Sequence, residues 1–311
     1  MLKQIIFMMA AAILCAGTTQ AATTTETCIN YLNANDYQKA LDYGKKAVEE
    51  DSRNPDAHSC LGRAYSETGK VNDAIEELKE AENLTTEKER LIKIYGSLAI
   101  AYGRKGALSS MEEYAERQIE LSKELDDAEG ESDGLNSLGL ISLSKKKYDN
   151  AIGFFQDSFK AKPATRTLSN ISQAYTAKKE CDKAIEYAKK AIEMGDQKGD
   201  QLSAAYAAIS LSNAYLTAGN ISEGEAAAQD ALKRMQKLEN KGGEAEATIM
   251  LAVTYMKKDD LKVSKQYLVS AKLIHEFLGN KKEVEQIEGS IKGLEKIEKS
   301  TKDLDDALNA L

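Results

Sequence analysis

The feature that most constrains this chain is an internal repeat that runs from about residue 25 to residue 279. The stretch Cys60–Ala81 places a leucine, a glycine, a tyrosine and two alanines at spacings that recur along the chain. The tyrosine position is occupied in turn by Tyr31, Tyr65, Tyr102, Ser142, Tyr175, Tyr215 and Tyr255. Successive members lie 34, 37, 40, 33, 40 and 40 residues apart. A period of this length indicates stacked supersecondary units.

Each unit reads as two amphipathic helices. Leu61 and Tyr65 share one face of the first helix, Ala74 and Ala81 share one face of the second, and Gly69 interrupts the chain between them. Small residues let two antiparallel helices approach closely. Only two prolines occur in 311 residues, which favours helix throughout. Because one hairpin cannot bury its own apolar face, we predict an all-α stack of about seven antiparallel helix hairpins.

The best-defined unit resembles a known family. Residues 58–78 read H-x2-L-G-x2-Y followed by A-x3-L, which is similar to the W-x2-L-G-x2-Y…A-x3-F signature of tetratricopeptide repeats. Histidine holds the tryptophan place, and Pro163 stands where the family often has a closing proline. The resemblance implies a right-handed α-solenoid with a concave groove lined by the first helices. It implies little about function, because members of the family bind many unrelated partners.

The repeat divides the chain into three predicted parts. Residues 22–279 form the solenoid, and residues 280–311 form a capping helix and a short amphipathic tail, with a joint at residues 298–303. Residues 1–21 precede the solenoid as a signal peptide. The repeats are predicted at about residues 22–54, 55–91, 92–131, 132–164, 165–204, 205–244 and 245–279.

The predicted signal peptide determines the expected location. Lys3 is followed by an apolar run over Ile5–Ala16 and by small residues up to Ala21, where we expect cleavage. The run is shorter than the roughly 20 residues of a membrane span. We therefore predict an exported protein, periplasmic or secreted, with no stable membrane span after cleavage. The net charge of −8 argues against nucleic acid as a partner.

The sequence predicts no enzyme, no cofactor and no metal site. Six residues separate Gly62 from Gly69, whereas a phosphate-binding loop has four before its Gly-Lys pair. We predict that Gly69 forms a left-handed turn instead. The two histidines of the chain lack metal-ligand spacing; His58 is expected to pack in the core and His275 to be exposed.

Export permits a disulfide bond. Cys28 and Cys60 lie in successive first helices, where a disulfide between them is one hypothesis and a pair of buried thiols is the other. Cys181 is predicted to fill a buried apolar position in a later repeat.

If the family's architecture holds, a partner binds along the groove face of the first helices. The repeat register predicts sixteen residues on this face: Arg63, Ser66, Glu67, Ile100, Arg104, Asn136, Leu140, Leu143, Gln173, Thr176, Ile209, Asn213, Leu216, Ile249, Val253 and Met256. We expect a peptide or an amphipathic helix of a partner protein there. The chain's own tail could also cover the groove. The alternative function is a structural module that forms a homo-oligomer through residues 280–311.

Overall fold

The computed structural model describes residues 22–309, with side chains described as far as residue 300. The predicted signal peptide lies outside these residues. The described chain forms fifteen helices in stacked antiparallel pairs, which confirms the predicted α-solenoid class. The helices are α1 Thr24–Asn33, α2 Tyr37–Glu50, α3 Pro55–Glu67, α4 Val71–Asn83, α5 Lys88–Lys105, α6 Leu108–Glu124, α7 Ala128–Ser144, α8 Tyr148–Ala161, α9 Thr165–Lys178, α10 Cys181–Lys198, α11 Gln201–Ala218, α12 Ile221–Lys237, α13 Lys241–Lys257, α14 Leu261–Leu278 and α15 Lys281–Asn309.

The chain divides into two compact units, one reaching Tyr114 and the other beginning at Ala115. The first unit holds the hairpins α1–α2 and α3–α4, followed by α5 and the start of α6. The second unit holds the hairpins α7–α8, α9–α10, α11–α12 and α13–α14, and α15 packs against α14. Each unit therefore contains several repeats that bury one another's apolar faces.

Small residues bring the two helices of a hairpin close together. In α9, the Ser172 hydroxyl donates a hydrogen bond of 2.8 Å to the Ala184 carbonyl of α10. In the next hairpin, the Ser212 hydroxyl donates one of 2.7 Å to the Gly224 carbonyl. All four residues belong to the small-residue positions of the repeat. A hydroxyl at this position both fits the gap and satisfies its own hydrogen-bonding group.

Paired tyrosines pack between the two helices of several hairpins. The tyrosine of the repeat stacks on a second tyrosine that follows it twelve residues later, with ring centroids 5.3–5.6 Å apart. The pairs are Tyr31–Tyr43, Tyr102–Tyr114, Tyr175–Tyr187 and Tyr255–Tyr267. Stacked rings add to the area buried between the helices. The sequence pattern marked only the first member of each pair.

The turn inside each hairpin contains one left-handed residue. Gly69 has φ +80° between α3 and α4, as predicted. The same place, four residues after the repeat's tyrosine position, has positive φ in all seven repeats. Lys146, Lys179 and Asp259 occupy it with φ of 57°, 66° and 59°. The conformation is thus a property of the turn, and Gly69 joins two helices rather than a strand and a helix.

The C-terminal segment corrects the expected joint. One helix, α15, runs unbroken through residues 298–303 to Asn309. These six residues contain neither glycine nor proline, so nothing in them ends the helix. Helix α15 packs antiparallel to α14 through a buried apolar cluster that includes Leu268 and Ile287. Ion pairs join Lys272 to Glu288 at 2.9 Å and Lys265 to Glu295 at 2.7 Å beside it.

The end of α14 corrects a second expectation. His275 is only 7% exposed, although the sequence predicted an exposed residue. Its Nδ1 atom lies 3.2 Å from the Asn280 side-chain nitrogen at the start of the next helix. The turn at Gly279 folds Asn280 back beside the ring, so the end of the helix is covered. The other histidine, His58, is 7% exposed, in agreement with a packing role.

A disulfide bond joins Cys28 of α1 to Cys60 of α3 in the structure, with their Cα atoms 6.4 Å apart. Both cysteines are buried in the first unit. The bond ties together the first helices of two successive repeats. Cys181 is a free and partly exposed cysteine, which corrects the expected buried position, because it is the first residue of α10.

Candidate protein-binding surface

The first helices of the second unit lie side by side. The Asn170 amide of α9 donates a hydrogen bond of 2.7 Å to the Asn136 side chain of α7. The Gln173 amide of α9 lies 3.2 Å from the Ser210 hydroxyl of α11. These side chains tie α7, α9 and α11 together, so their neighbouring faces make one surface.

Most of the predicted residues in the second unit are accessible on this surface. Leu140 and Met256 are 38% and 43% exposed, Gln173 and Asn213 are also exposed, and four aliphatic side chains are half-buried. The half-buried ones are Leu143, Ile209, Ile249 and Val253. We define the α11–α13 patch as Ile209, Asn213, Ile249, Val253 and Met256. It combines accessible aliphatic side chains with one exposed amide.

In the first unit, two predicted residues bind each other. The Arg104 guanidinium of α5 contacts both carboxylate oxygens of Glu67 on α3, at 2.7 and 2.8 Å, and also donates to the Ser66 carbonyl. This pair links two successive first helices. Arg63 and Ile100 remain exposed on the same helices, and Ile100 is 50% exposed.

Four predicted residues are buried, so the prediction of an accessible side chain was wrong for them. Leu216 is 2% exposed and packs against Gly224 of the following helix. Thr176 and Asn136 are each 7% exposed. The Thr176 hydroxyl donates to the Ser172 carbonyl of its own helix, and the Asn136 side chain accepts from Asn170. Ser66 is 4% exposed.

Three of these four residues directly follow the tyrosine position of their repeats. Each residue of an α-helix advances by about 100° around the helix axis. Two residues three places apart therefore point in directions that differ by about 60°. In these three repeats the position therefore lies at the edge of the first helix's accessible face, where it meets the second helix. The sequence pattern defined the centre of the face but not its edge.

Sequence reasoning missed a charged position on the same helices. Asp133 of α7 lies nine residues before the repeat's tyrosine position and forms an ion pair with Arg166 of α9, whose guanidinium donates to its carboxylate at 3.1 Å. Glu246 of α13 occupies the same place in its repeat. Burial raises the pKa of Asp133, and the charge of the neighbouring Arg166 offsets only part of this effect. Burial likewise raises the pKa of Glu246. Both side chains nevertheless keep surface that is accessible to solvent. The signal that could have revealed them is a charge that recurs in register.

Among the residues that the structure describes, no three histidine, cysteine or acidic side chains are grouped to hold a metal ion. Within the same part of the chain, no helix is both long and apolar enough to span a membrane.

Two stretches match family models described as tetratricopeptide repeats, at residues 31–91 and 165–194. The chain contains tetratricopeptide repeats. The first match covers the end of α1 through α4, and the second covers α9 and most of α10. Each of the two units thus contains a stretch that matches a tetratricopeptide repeat model. Such domains are generally non-catalytic. No curated protein matches the chain.

Solved structures share this tetratricopeptide repeat fold. The apo form of RapI is 14% identical, with a TM-score of 0.64, and the match covers 81% of this chain and 97% of that one. The Rap conjugation gene regulator of plasmid pLS20, solved in complex with the Phr* peptide, is 16% identical, with a TM-score of 0.64 and coverages of 87% and 81%. A chain of the APC/C hetero-tetramer Cut9–Hcn1 is 20% identical with a TM-score of 0.58. That match covers 81% of this chain but only 46% of that one, so this chain spans under half its length. At these identities the likeness shows the fold alone.

Proposed function

We propose that the chain is a non-enzymatic scaffold that binds a peptide or an amphipathic helix of a partner protein. The binding surface is the face formed by the first helices of the second unit. The observation that carries this proposal is the α11–α13 patch, where aliphatic side chains are accessible on adjacent first helices. Tetratricopeptide repeats are typically protein-interaction domains, which supports the same function.

The chemistry of the patch suits a peptide. Ile249, Val253 and Met256 follow one another at spacings of four and three residues along α13, so their side chains share one face. Apolar side chains of a partner would be buried there, while the exposed Asn213 amide can both donate to and accept from a peptide backbone. The pLS20 regulator, which shares the fold, forms a complex with the Phr* peptide, and this supports a peptide as the partner.

We propose further that binding takes place outside the cytoplasm. The predicted signal peptide at residues 1–21 supports export, and the disulfide between Cys28 and Cys60 is compatible with an oxidising compartment. The two observations come from separate parts of the sequence and favour the same location.

The binding surface can be tested with a random peptide library displayed on phage. We expect the purified protein to select peptides that combine apolar side chains with an extended or helical backbone. Val253→Asp places a charge in the α11–α13 patch, and Asn213→Ala removes its amide. Each should weaken the binding of a selected peptide by roughly tenfold or more, as measured by fluorescence polarisation.

Two matched controls lie on the second helices. Leu238→Asp introduces the same charge at a residue 39% exposed at the end of α12, and Gln229→Ala removes an exposed amide from the same helix. Both should leave the affinity unchanged. Selection of no peptide, or equal affinities in all four variants, would contradict the proposed surface.

A further inference from the structure

The first helices of the second unit carry a row of residues at one place of the repeat, nine positions before its tyrosine position. The row consists of Asp133 on α7, Arg166 on α9, Tyr206 on α11 and Glu246 on α13. Asp133 and Arg166 form their ion pair across two neighbouring first helices. Side chains at this place can therefore reach from one first helix to the next.

Glu246 is the acid of this row that has no counter-charge within the part of the chain that the structure describes. Burial raises the pKa of Glu246, with no contribution from a charged neighbour among those residues. The nearest lysine along α13, Lys241, pairs with Glu244 instead, at 2.7 Å. The folded chain thus holds a partly desolvated carboxylate without a cation to stabilise its charged form, although the side chain keeps accessible surface.

Glu246 shares a helix face with the α11–α13 patch. It precedes Ile249, Val253 and Met256 by three, seven and ten residues, so the four side chains point to the same side of α13. The carboxylate lies about one helical turn beyond the apolar side chains. A ligand on the patch therefore meets apolar surface first and a negative charge at its N-terminal end.

We propose that the partner peptide carries a lysine or arginine whose side chain binds the Glu246 carboxylate, while apolar side chains of the peptide cover Ile249 and Val253. This inference rests on the proposed function, because it places the peptide on the α11–α13 patch. It adds the chemistry of the ligand, which is a basic, amphipathic segment.

Two further features favour a cationic ligand. Tyr206 holds the same place on α11 as Glu246 does on α13 and is half-buried, and the face of an aromatic ring attracts a cation. The chain also has a net charge of −8, so its electrostatic field attracts a basic peptide and repels an acidic one. An anionic ligand would be repelled both by this field and by the Glu246 carboxylate.

Selection from a peptide library displayed on phage tests the charge of the ligand. Wild-type protein should enrich lysine or arginine beside the apolar positions of the selected peptides, whereas Glu246→Lys should enrich aspartate or glutamate at the same position. The matched control is Glu223→Lys, at an exposed glutamate of α12. It should select the same basic peptides as the wild type.

A double-mutant cycle with one selected peptide measures the contact itself. The peptide is synthesised with blocked termini, so that its basic side chain is the cation. Replacing that residue by glutamine should weaken binding to wild-type protein roughly fivefold or more, as measured by fluorescence polarisation. The same replacement should not change binding to Glu246→Gln, because the cation has lost its partner there. Glu246→Gln should keep the thermal unfolding temperature of the wild type.

The outcomes separate this inference from the proposed function. Selected peptides without enriched basic residues would overturn the inference alone. So would a basic residue that contributes equally to binding in wild-type protein and in Glu246→Gln. Selection of no peptide, or a selected peptide whose affinity is unchanged in Val253→Asp, would overturn the proposed function and this inference with it.

Discussion

At the scale of single residues, glycines determine how closely the two helices of a hairpin approach. A Cβ atom added at Gly139 of α7 would lie 2.3 Å and 2.5 Å from ring carbons of Phe155 on α8. Phe155 is fully buried, so its ring has little room to move. Gly153 of α8, in contrast, has no atom within 4 Å of an added Cβ. The two glycines have different reasons for being there.

We expect Gly139→Ala to lower the free energy of unfolding by about 1–3 kcal/mol, because the added methyl group overpacks the hairpin. Gly153→Ala should raise it by about 0.5–1 kcal/mol, because alanine loses less entropy in a helix. Urea denaturation followed by circular dichroism measures both. Equal effects of the two substitutions would contradict the packing role of Gly139.

The same scale shows where sequence reasoning fails. The repeat pattern identified the small residues of the hairpins, because their spacing is regular. It assigned Leu216 to the groove, although that side chain is buried against Gly224, and it left His275 exposed, although Asn280 covers it. Both errors concern contacts with the next helix, which depend on how the chain turns between helices rather than on spacing within one helix.

At the scale of elements, the longer second helices are joined by their last turns. Arg234 of α12 forms two parallel hydrogen bonds to Asp196 of α10, at 2.7 and 3.1 Å, and a third to Asp230 at 2.8 Å. The guanidinium lowers the pKa of Asp196. This pair links the second helices of adjacent repeats at their last turns, which the shorter repeats lack.

We expect Asp196→Asn to lower the free energy of unfolding by about 0.5–1 kcal/mol at pH 7, since the pair is partly exposed. The pKa of Asp196 is lower in the folded chain than in the unfolded chain. Its stabilisation is therefore present above the unfolded value of about 3.9 and is lost as the pH falls through the folded pKa.

Urea denaturation of both proteins at a series of pH values measures this effect. The difference between them should shrink below about pH 4. Asp182→Asn, at an exposed residue of the same helix, should change stability by less than about 0.5 kcal/mol. A difference that persists unchanged at low pH would contradict the electrostatic origin.

The disulfide joins two elements of the first unit. Protein that begins at residue 22 contains Cys28, Cys60 and Cys181, and we expect one titratable thiol when it is denatured without reductant and three after reduction. For a sequence separation of 32 residues, reduction should lower the free energy of unfolding by about 3–4 kcal/mol. Three thiols before reduction would contradict the bond.

Most helices could be predicted at this scale, since the same periodicity occurs in every repeat. The joint expected at residues 298–303 was wrong, because a run of charged and hydroxyl residues resembles a linker in composition yet contains no residue that ends a helix. The second tyrosine of each stacked pair was also missed, because it belongs to a contact between helices.

At the scale of the whole molecule, the second unit carries two accessible apolar surfaces on different elements. The α11–α13 patch lies on first helices, whereas Val269, Leu273 and Phe277 lie on α14, the last second helix. We assign a partner peptide to the patch.

The sequence could predict which residues share one face of the first helices, because the repeat places equivalent residues in register. The sequence could not show which of these residues would bind other side chains of the same chain. Arg104 and Glu67 pair with each other, and Asn136 with Asn170. Such pairs form between helices from different repeats, and their geometry depends on how the repeats stack.

Amide hydrogen exchange of the protein, with and without a selected peptide, tests the proposed surface most directly. We predict slower exchange in α11 and α13 when the peptide is bound, with α10 and α12 unchanged, because bound peptide covers the first helices and suppresses their local opening. Slower exchange confined to α10 and α12, with no change in α11 and α13, would contradict the account.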